Sequence, residues 1–241
     1  MARDELKTTL KSPENKMAQE AITLIKTGGP IEKLKELVAQ GCSDTFIERD
    51  PAHPRSRFLT HKVLDTCFES HFGVTQVRKE GNTEIASLGD VHASEGREGY
   101  FELLLSAGFT PGTNGWRGSL FQHILNSCFY TIDGDSRRDQ AKKFAKILIA
   151  SGQFNLQRYA ENNYQWVGSL PKLETILELG AQPTPAMTDC ALTYVNCSPN
   201  SGETTEDRHA VILRLLELGA NPTKDLSKFP EILEKSQALA A

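Results

Sequence analysis

Apolar residues recur along the chain in stripes that each end shortly before a glycine. Counted back from the glycine, the positions three, four and seven residues earlier are nearly all apolar, which is the spacing of one face of an α-helix. A glycine just past such a stripe is typical of the left-handed cap that ends a helix, with a positive φ. The pattern predicts five helices whose paired apolar residues, such as Leu177 and Leu216, are buried. The glycines that end them are Gly41, Gly108, Gly152, Gly180 and Gly219.

A second family of helices precedes these stripes. Residues Phe58–Phe68 match Ser119–Phe129 closely, and Ala186–Val195 follows the same pattern more loosely. Each unit is therefore predicted to contain a helix, a loop, a second helix and a glycine turn. Because so short a pair cannot bury both of its apolar faces alone, we expect neighbouring pairs to stack into a solenoid.

The most similar copies, Ile176–Thr184 and Leu215–Thr223, share the turn Leu-Glu-Leu-Gly-Ala. This turn, together with the histidine of Phe58-Leu-Thr-His61, resembles the motifs of the ankyrin repeat family. In that family a first helix opening Thr-Pro-Leu-His leads to a second helix ending in Leu-Leu and then Gly-Ala. The resemblance covers roughly residues 14–223 and implies an all-α, ankyrin-like helical-hairpin solenoid of about five repeats.

The chain also departs from the ankyrin pattern. Successive glycines lie 67, 44, 28 and 39 residues apart, whereas ankyrin units recur near ~33 residues. Long inter-helix inserts over 71–92, 131–137 and 197–205 account for most of this difference, and the largest favours a small hairpin turning at Gly81-Asn82. A helical-hairpin solenoid of another type stays open.

The division into repeats follows the glycine turns. We predict one repeat domain over residues 1–241, opened by a helix with Ser12 as its N-cap and Pro13 at its first position. A single polar helix from Asp225 to Leu239 is expected to close the stack. The predicted units are a capping repeat (13–44), a repeat with a long insert (45–111), three further repeats (112–155, 156–184 and 185–223) and a capping helix (224–241).

Charge and composition exclude several classes of function. The 27 basic residues are offset by 31 acidic ones, giving a net charge of −4, so the chain lacks the positive field that binding to nucleic acid requires. No run of 18 apolar residues occurs, and charges alternate near Met1, so we expect neither a membrane span nor a secretory signal. The five scattered cysteines indicate reduced thiols in a cytoplasm.

No constellation typical of catalysis is visible in the sequence. The six histidines are dispersed over different predicted repeats, and Asp133-Gly-Asp135 fails as a calcium loop because its twelfth position is Phe144. Cys67 and His71 lie four residues apart, which suits a metal or thiolate pair, although a core thiol beside a loop histidine is the favoured interpretation. We predict no enzyme, no metal and no cofactor. The alternative is a helical enzyme or ligand-binding domain with a pocket near Cys67, His71 and His92.

Two loops that precede first helices, residues 42–57 and 109–118, carry residue types that dominate interface energetics. The ankyrin resemblance places such turns and the first helices on a concave binding face. The predicted partner-binding residues are Arg55, Arg57, Asn114, Trp116, Arg117 and Gln122. The alternative for Trp116 is that its ring folds back onto its own repeat.

Tyr159, Tyr164 and Trp166 form an aromatic group in a short unit with little aliphatic volume. We therefore expect these rings to fill the core of that unit. The sequence as a whole predicts a non-enzymatic protein–protein interaction module, an adaptor or inhibitor that is monomeric and binds another protein or peptide. By analogy with irregular ankyrin-like proteins of bacteria and viruses, it is expected to act as an effector on host proteins, in the cytoplasm of its own cell or of a host.

Overall fold

The computed structural model describes residues 9–49, 58–72, 74–80, 83–88, 97–111, 120–129, 135–164, 166–195 and 204–240. These residues are mostly helical, as the sequence predicts, with a few short strands. Within them, no helix is long and apolar enough to cross a membrane. In chain order the elements are α1 (Pro13–Thr27), α2 (Ile31–Ala39), β1 (Thr45–Arg49), β2 (Phe58–Lys62), α3 (Val63–Phe72), β3 (Val74–Glu80), β4 (Thr83–Leu88), α4 (Glu98–Ser106), α5 (Leu120–Phe129), α6 (Asp135–Ala150), α7 (Leu156–Asn162), α8 (Leu170–Glu178), α9 (Pro185–Tyr194), α10 (Thr205–Glu217), a 3₁₀ turn (Leu226–Lys228) and α11 (Pro230–Ala240).

All five predicted glycines follow a helix and have a positive φ, between 74° at Gly152 and 110° at Gly180. At Gly41 the glycine N–H donates to the Val38 carbonyl and the next N–H, of Cys42, donates to the Leu37 carbonyl, both at 3.0 Å. This pair of bonds is the Schellman motif. The same pair occurs after α4, α8 and α10. Apart from its chain neighbours, no atom of the described residues would lie within 4 Å of a Cβ added at any of the five, so backbone conformation, not space, requires glycine there.

The apolar stripe before each glycine is buried, but not symmetrically. The residues four and seven positions before each glycine are buried, whereas those three positions before are half-buried except for Leu105. The prediction that Leu177 and Leu216 are buried is therefore wrong, and Ile176 and Leu215 hold the central positions instead. Adjacent residues point about 100° apart around a helix, so the centre of the buried face and its flank differ by a single residue.

The contacts divide the chain into two compact units, one formed by Met1–Ser127 and Thr131–Gln153 and the other by Cys128–Tyr130 and Phe154–Ala241. In the first unit, α1 packs on α2 and α3, and the second helices contact one another in succession, α2 with α4 and α4 with α6. Polar side chains join their turns, because Thr110 donates to Asp44 at 3.1 Å and Gln153 donates to the Phe109 carbonyl at 2.9 Å. Turns distant in sequence therefore lie side by side.

Residues Phe58–Lys62, which were expected to begin a helix, form the strand β2 instead. This strand pairs antiparallel with β1, with Phe46 opposite His61 and Ile47 opposite Thr60, and the helix begins only at Val63. The resemblance of Phe58–Phe68 to the helical segment after Ser119 is misleading because a strand partner earlier in the chain decides the conformation. Farther along, β3 and β4 form an antiparallel hairpin on either side of residues 81–82, which agrees with the expected turn there.

In the second unit, α7 packs on α9 and α8 packs on α10, while α10 also contacts α9 and α11. First helices are tied to the following glycine turns. Gln157 exchanges two hydrogen bonds with the backbone of Gln182 (2.8 and 3.1 Å), and the Asp189 carboxylate accepts from the Thr223 and Lys224 N–H groups at 3.0 Å each. Both sets of bonds follow one pattern. A polar side chain of a first helix binds the backbone of the glycine turn that ends the second helix of the same pair.

The aromatic group of this unit is divided between core and surface. Trp166 is fully buried and its indole N–H donates to the Ala160 carbonyl at 3.0 Å, so this ring belongs to the core as expected. Tyr164 is 45% exposed and stacks on Tyr194, which contradicts the expected burial of its ring.

The expected single C-terminal helix is also wrong: the chain forms a 3₁₀ turn, and a separate helix starts at Pro230, whose missing N–H suits a first position. The predicted repeat boundaries stay a prediction.

The asymmetric burial generates a test between two neighbouring leucines. Leu215→Ala should lower the free energy of unfolding by about 2–5 kcal/mol, because it leaves a cavity in a fully buried site. Leu216→Ala, the matched control on the half-buried flank, should cost less than about half of that. Urea unfolding of both variants measures the difference. Equal losses, or a larger loss for Leu216→Ala, would contradict the packing of α10.

Candidate functional site

A groove of about 370 Å³ lies in the first unit between helix α1, the β1–β2 sheet and the first turns of α3. Polar and apolar side chains both line it. They are Gln19, Ile22, Thr23 and Lys26 from α1, Phe46 and Glu48 from β1, His61 from β2 and Thr66 from α3. Ile22 and Phe46 are each 8% exposed, which makes them an apolar floor beneath a charged rim.

The sheet wall of the groove follows from strand alternation. Phe46 and Glu48 are two residues apart on β1, and His61 is paired with Phe46, so all three side chains share one face of the sheet. The His61 ring stacks on Phe46 with centroids 5.9 Å apart, and its Nε2 lies 2.9 Å from Glu48 Oε1. The two side chains are 41% and 42% exposed, so they present an imidazole–carboxylate pair to solvent.

The helix wall comes from one face of α1, where Gln19, Thr23 and Lys26 recur at the three- and four-residue spacing that aligns side chains on a helix. The Thr23 hydroxyl donates to the Gln19 carbonyl at 2.9 Å, and Lys26 places a cation on the same groove as Glu48. Hydrogen-bond donors, acceptors and both charges therefore surround an apolar floor. Such a lining suits recognition of mixed polar and apolar side chains.

Asn15 fixes the sheet against α1. Its side chain is buried, accepts from the Ile47 N–H at 2.8 Å and donates to the Ile47 carbonyl at 3.0 Å. Its position at the start of α1 follows from the cap, because the Ser12 hydroxyl accepts from the Asn15 N–H at 3.1 Å. A single amide thus sets the distance between the two walls of the groove.

Asp44 fixes the base of the hairpin to the next turn. Its carboxylate accepts from Lys62 Nζ and the Thr45 hydroxyl, each at 2.6 Å, and from the Thr110 hydroxyl at 3.1 Å. Burial alone raises the pKa of this carboxyl, but these hydrogen bonds and the Lys62 charge outweigh it and hold the pKa below the ordinary 3.8. Asp44 is therefore ionised and held in place at neutral pH.

The predicted partner-binding residues fall almost wholly outside the described part of the chain. Arg55 and Arg57 belong to residues 50–57, which connect β1 to β2, and Asn114, Trp116 and Arg117 precede α5; all five lie outside the described residues. Gln122 lies within α5, but its side chain is outside them too. Whether Trp116 faces solvent or packs on its own repeat therefore stays a prediction.

The alternative pocket is described only at Cys67. This thiol is fully buried in α3, and desolvation raises its pKa although Arg97 acts in the opposite direction, so the thiol is protonated at neutral pH. A protonated thiol is a poor nucleophile and metal ligand. The side chain of His71 and the whole of His92 lie outside the described residues. Within those residues, no group of three His, Cys, Asp or Glu side chains is placed to hold a metal ion.

Glu48 and Lys26 were not predicted as groove residues, and His61 was expected on a helix as part of the ankyrin-like motif. His61 instead extends from a strand. A pairing between Thr45–Arg49 and the residues after Arg57 was the missing signal, since only that pairing brings the carboxylate and the imidazole together.

No protein-family model, no curated protein and no solved structure matches this chain.

The Asp44 contacts predict a pH-dependent contribution to stability. Because the folded-state pKa is lowered, the contribution is fully present above the unfolded pKa near 3.8 and is lost as the pH falls through the folded value. Asp44→Asn should therefore be less stable than the wild type by a constant amount from about pH 5 to 7, with the gap closing below the unfolded pKa. Urea unfolding across this range measures the gap. A gap that stays constant well below the unfolded pKa would contradict the contribution of the Asp44 charge.

Proposed function

We propose that this chain is a non-enzymatic protein-binding module of ankyrin-like architecture, which binds another protein or peptide through the groove between α1, α3 and the β1–β2 sheet. One observation carries the proposal. A hairpin lies between the second helix of one pair and the first helix of the next, and it shares a groove with the first helices of both pairs. Ankyrin-like repeats bind partners with this combination of hairpins and first helices.

The packing within each unit supports this architecture. Second helices contact second helices, first helices contact first helices, and side chains such as Gln157 and Asp189 tie the glycine turns to preceding helices. These are nearest-neighbour contacts between short helix pairs, the kind of contact that holds solenoid proteins together. Strands β1 and β2 add a hairpin between the helix pairs that a purely helical repeat lacks.

The charges around the groove favour a polypeptide over a nucleic acid. Glu48 beside His61 and the cation of Lys26 offer complementary sites to both charges of a protein surface. The net charge of −4 disfavours binding to a phosphate backbone. We propose a monomeric adaptor or inhibitor that acts in the cytoplasm of its own cell or, as an effector, in that of a host.

Affinity capture from cell extract tests the groove, with bound proteins compared between wild type and Glu48→Arg. The reversed charge repels Lys26 and removes the partner of His61, so a groove-bound protein should be lost by about tenfold or more. Glu20→Arg is the matched control, because Glu20 also forms an exposed ion pair, with Lys33 at 2.6 Å, but does not line the groove. Both variants should melt close to the wild type, since exposed substitutions shift stability by only about 0.5 kcal/mol.

The same capture includes a Trp116→Ala, Arg117→Ala double variant. If the predicted loop residues contribute to the site, this variant weakens binding by about 2 kcal/mol or more and leaves the melting temperature nearly unchanged. A variant that melts much earlier yet keeps the partner places Trp116 in the core. Capture of the same proteins at the same level by Glu48→Arg and wild type would refute the groove as the binding site.

A further inference from the structure

The β1–β2 sheet has two outer edges, and Ile47 shows which main-chain groups reach them. Its N–H donates to the Asn15 side chain at 2.8 Å and its carbonyl accepts from that side chain at 3.0 Å. Both main-chain groups of Ile47 therefore point away from β2. In an antiparallel pair, a residue whose groups point outward faces a residue whose groups also point outward, at the opposite edge.

The register then identifies the outward groups of β2. Ile47 is paired with Thr60, so the N–H and C=O of Thr60 point away from β1. The hydrogen bond from the Val63 N–H to the Asp44 carbonyl, at 3.0 Å, agrees with this assignment. Val63 and Asp44 lie three residues from Thr60 and Ile47, so alternation predicts that their main-chain groups point inward, as this bond requires. By alternation, Phe58 also turns its main-chain groups outward.

The two edges are not equivalent. The Asn15 amide covers the edge of β1, whereas Thr60 on β2 is exposed and no hydrogen bond from the described residues reaches its outward groups. At the far end, the Lys62 carbonyl accepts from the Thr66 hydroxyl at 3.4 Å, which closes the edge where α3 begins. An open edge with unpaired main-chain donors and acceptors is a template for another strand.

We propose that the β2 edge from Phe58 to Thr60 binds an extended segment of a partner polypeptide as a third strand. The Asn15 carboxamide already pairs with the opposite edge in this way through one N–H and its C=O, and an extended backbone offers the same two groups at every second residue. The inference rests on the proposed function, because the residue placed opposite Leu59, the position paired with Glu48, shares the sheet face that lines the groove.

Thr60→Pro tests the edge directly. It removes the outward N–H of Thr60 but no hydrogen bond between β1 and β2, and proline is tolerated in edge strands. Thr60→Val is the matched control, since it changes the side chain and keeps the main-chain N–H. The ligand is the tightest peptide selected from a phage-displayed library of linear dodecapeptides against the folded chain, then synthesised and titrated. We expect Thr60→Pro to raise its Kd by about tenfold or more and Thr60→Val by less than about threefold.

A second measurement uses the wild-type chain and is independent of how Thr60→Pro folds. The selected peptide is N-methylated at one residue at a time, and its Kd should rise at alternate positions only, because alternate amides of an added strand face β2. Loss without this two-residue period overturns the inference, as does failure to select any peptide. Self-association of the wild type that Thr60→Pro abolishes also overturns it, because a second copy then occupies the edge.

The two proposals fail differently. If Glu48→Arg loses its captured partner while the peptide titration is insensitive to Thr60→Pro, the groove binds its partner by another mode and only the third strand is refuted. If the peptide shows the two-residue period but no protein depends on Glu48, the edge binds extended chain and the groove is refuted.

Discussion

A glycine in the left-handed conformation after each second helix is the constraint on which the remaining structure depends. At every such glycine except Gly152, it turns the chain so that the glycine N–H and the next N–H return to the last carbonyls of the helix, and it directs the following side chain into the core. That following residue is buried in four cases, Cys42, Phe109, Ala181 and Ala220. The residue four positions before the glycine is buried as well, so these four turns each close an apolar contact across the helix end, whereas Gln153 after Gly152 is exposed. Direction of the chain and continuity of the core are thus set by one backbone conformation.

The glycine turns also position the elements that form the groove. Because the turns after Gly41 and Gly108 lie side by side, Asp44 reaches Thr110 and holds the base of the hairpin. Asn15 holds its outer strand to α1. With both ends fixed, Phe46, Glu48 and His61 face the exposed side of α1 without needing a large core beneath the two strands. Such small sheets are marginal by themselves, so these polar contacts, together with the burial of Phe46 and Ile47, hold the hairpin against the helices.

The sequence predicts structural features that depend on neighbouring residues better than it predicts features that depend on pairing between distant segments. The helix ends at Gly108 and Gly219, the cap at Ser12 and the burial of Trp166 each depend on residues close in sequence, and each agrees with the prediction. The strand at Phe58–Lys62 depends on a partner that begins at Thr45, so a local match to a helical segment gives the wrong element. The groove depends on four separate elements, α1, β1, β2 and α3, and it cannot be predicted until the pairing of β2 with β1 is known. Leu216 was misjudged for a different reason, because a periodic pattern defines a face but not its centre.

Alanine and asparagine at Gly108 and Gly219, one position in each unit, show whether left-handed glycines organise both units. Within the part of the chain that the structure describes, no atom beyond the chain neighbours lies within 4 Å of an added Cβ at either position, so we attribute any loss of stability to the backbone. Alanine should lower the free energy of unfolding by about 1–2 kcal/mol, and asparagine, which adopts positive φ more readily, by clearly less. Urea unfolding of the four variants gives the answer. Alanine variants as stable as the wild type, or asparagine variants less stable than alanine, would contradict the account.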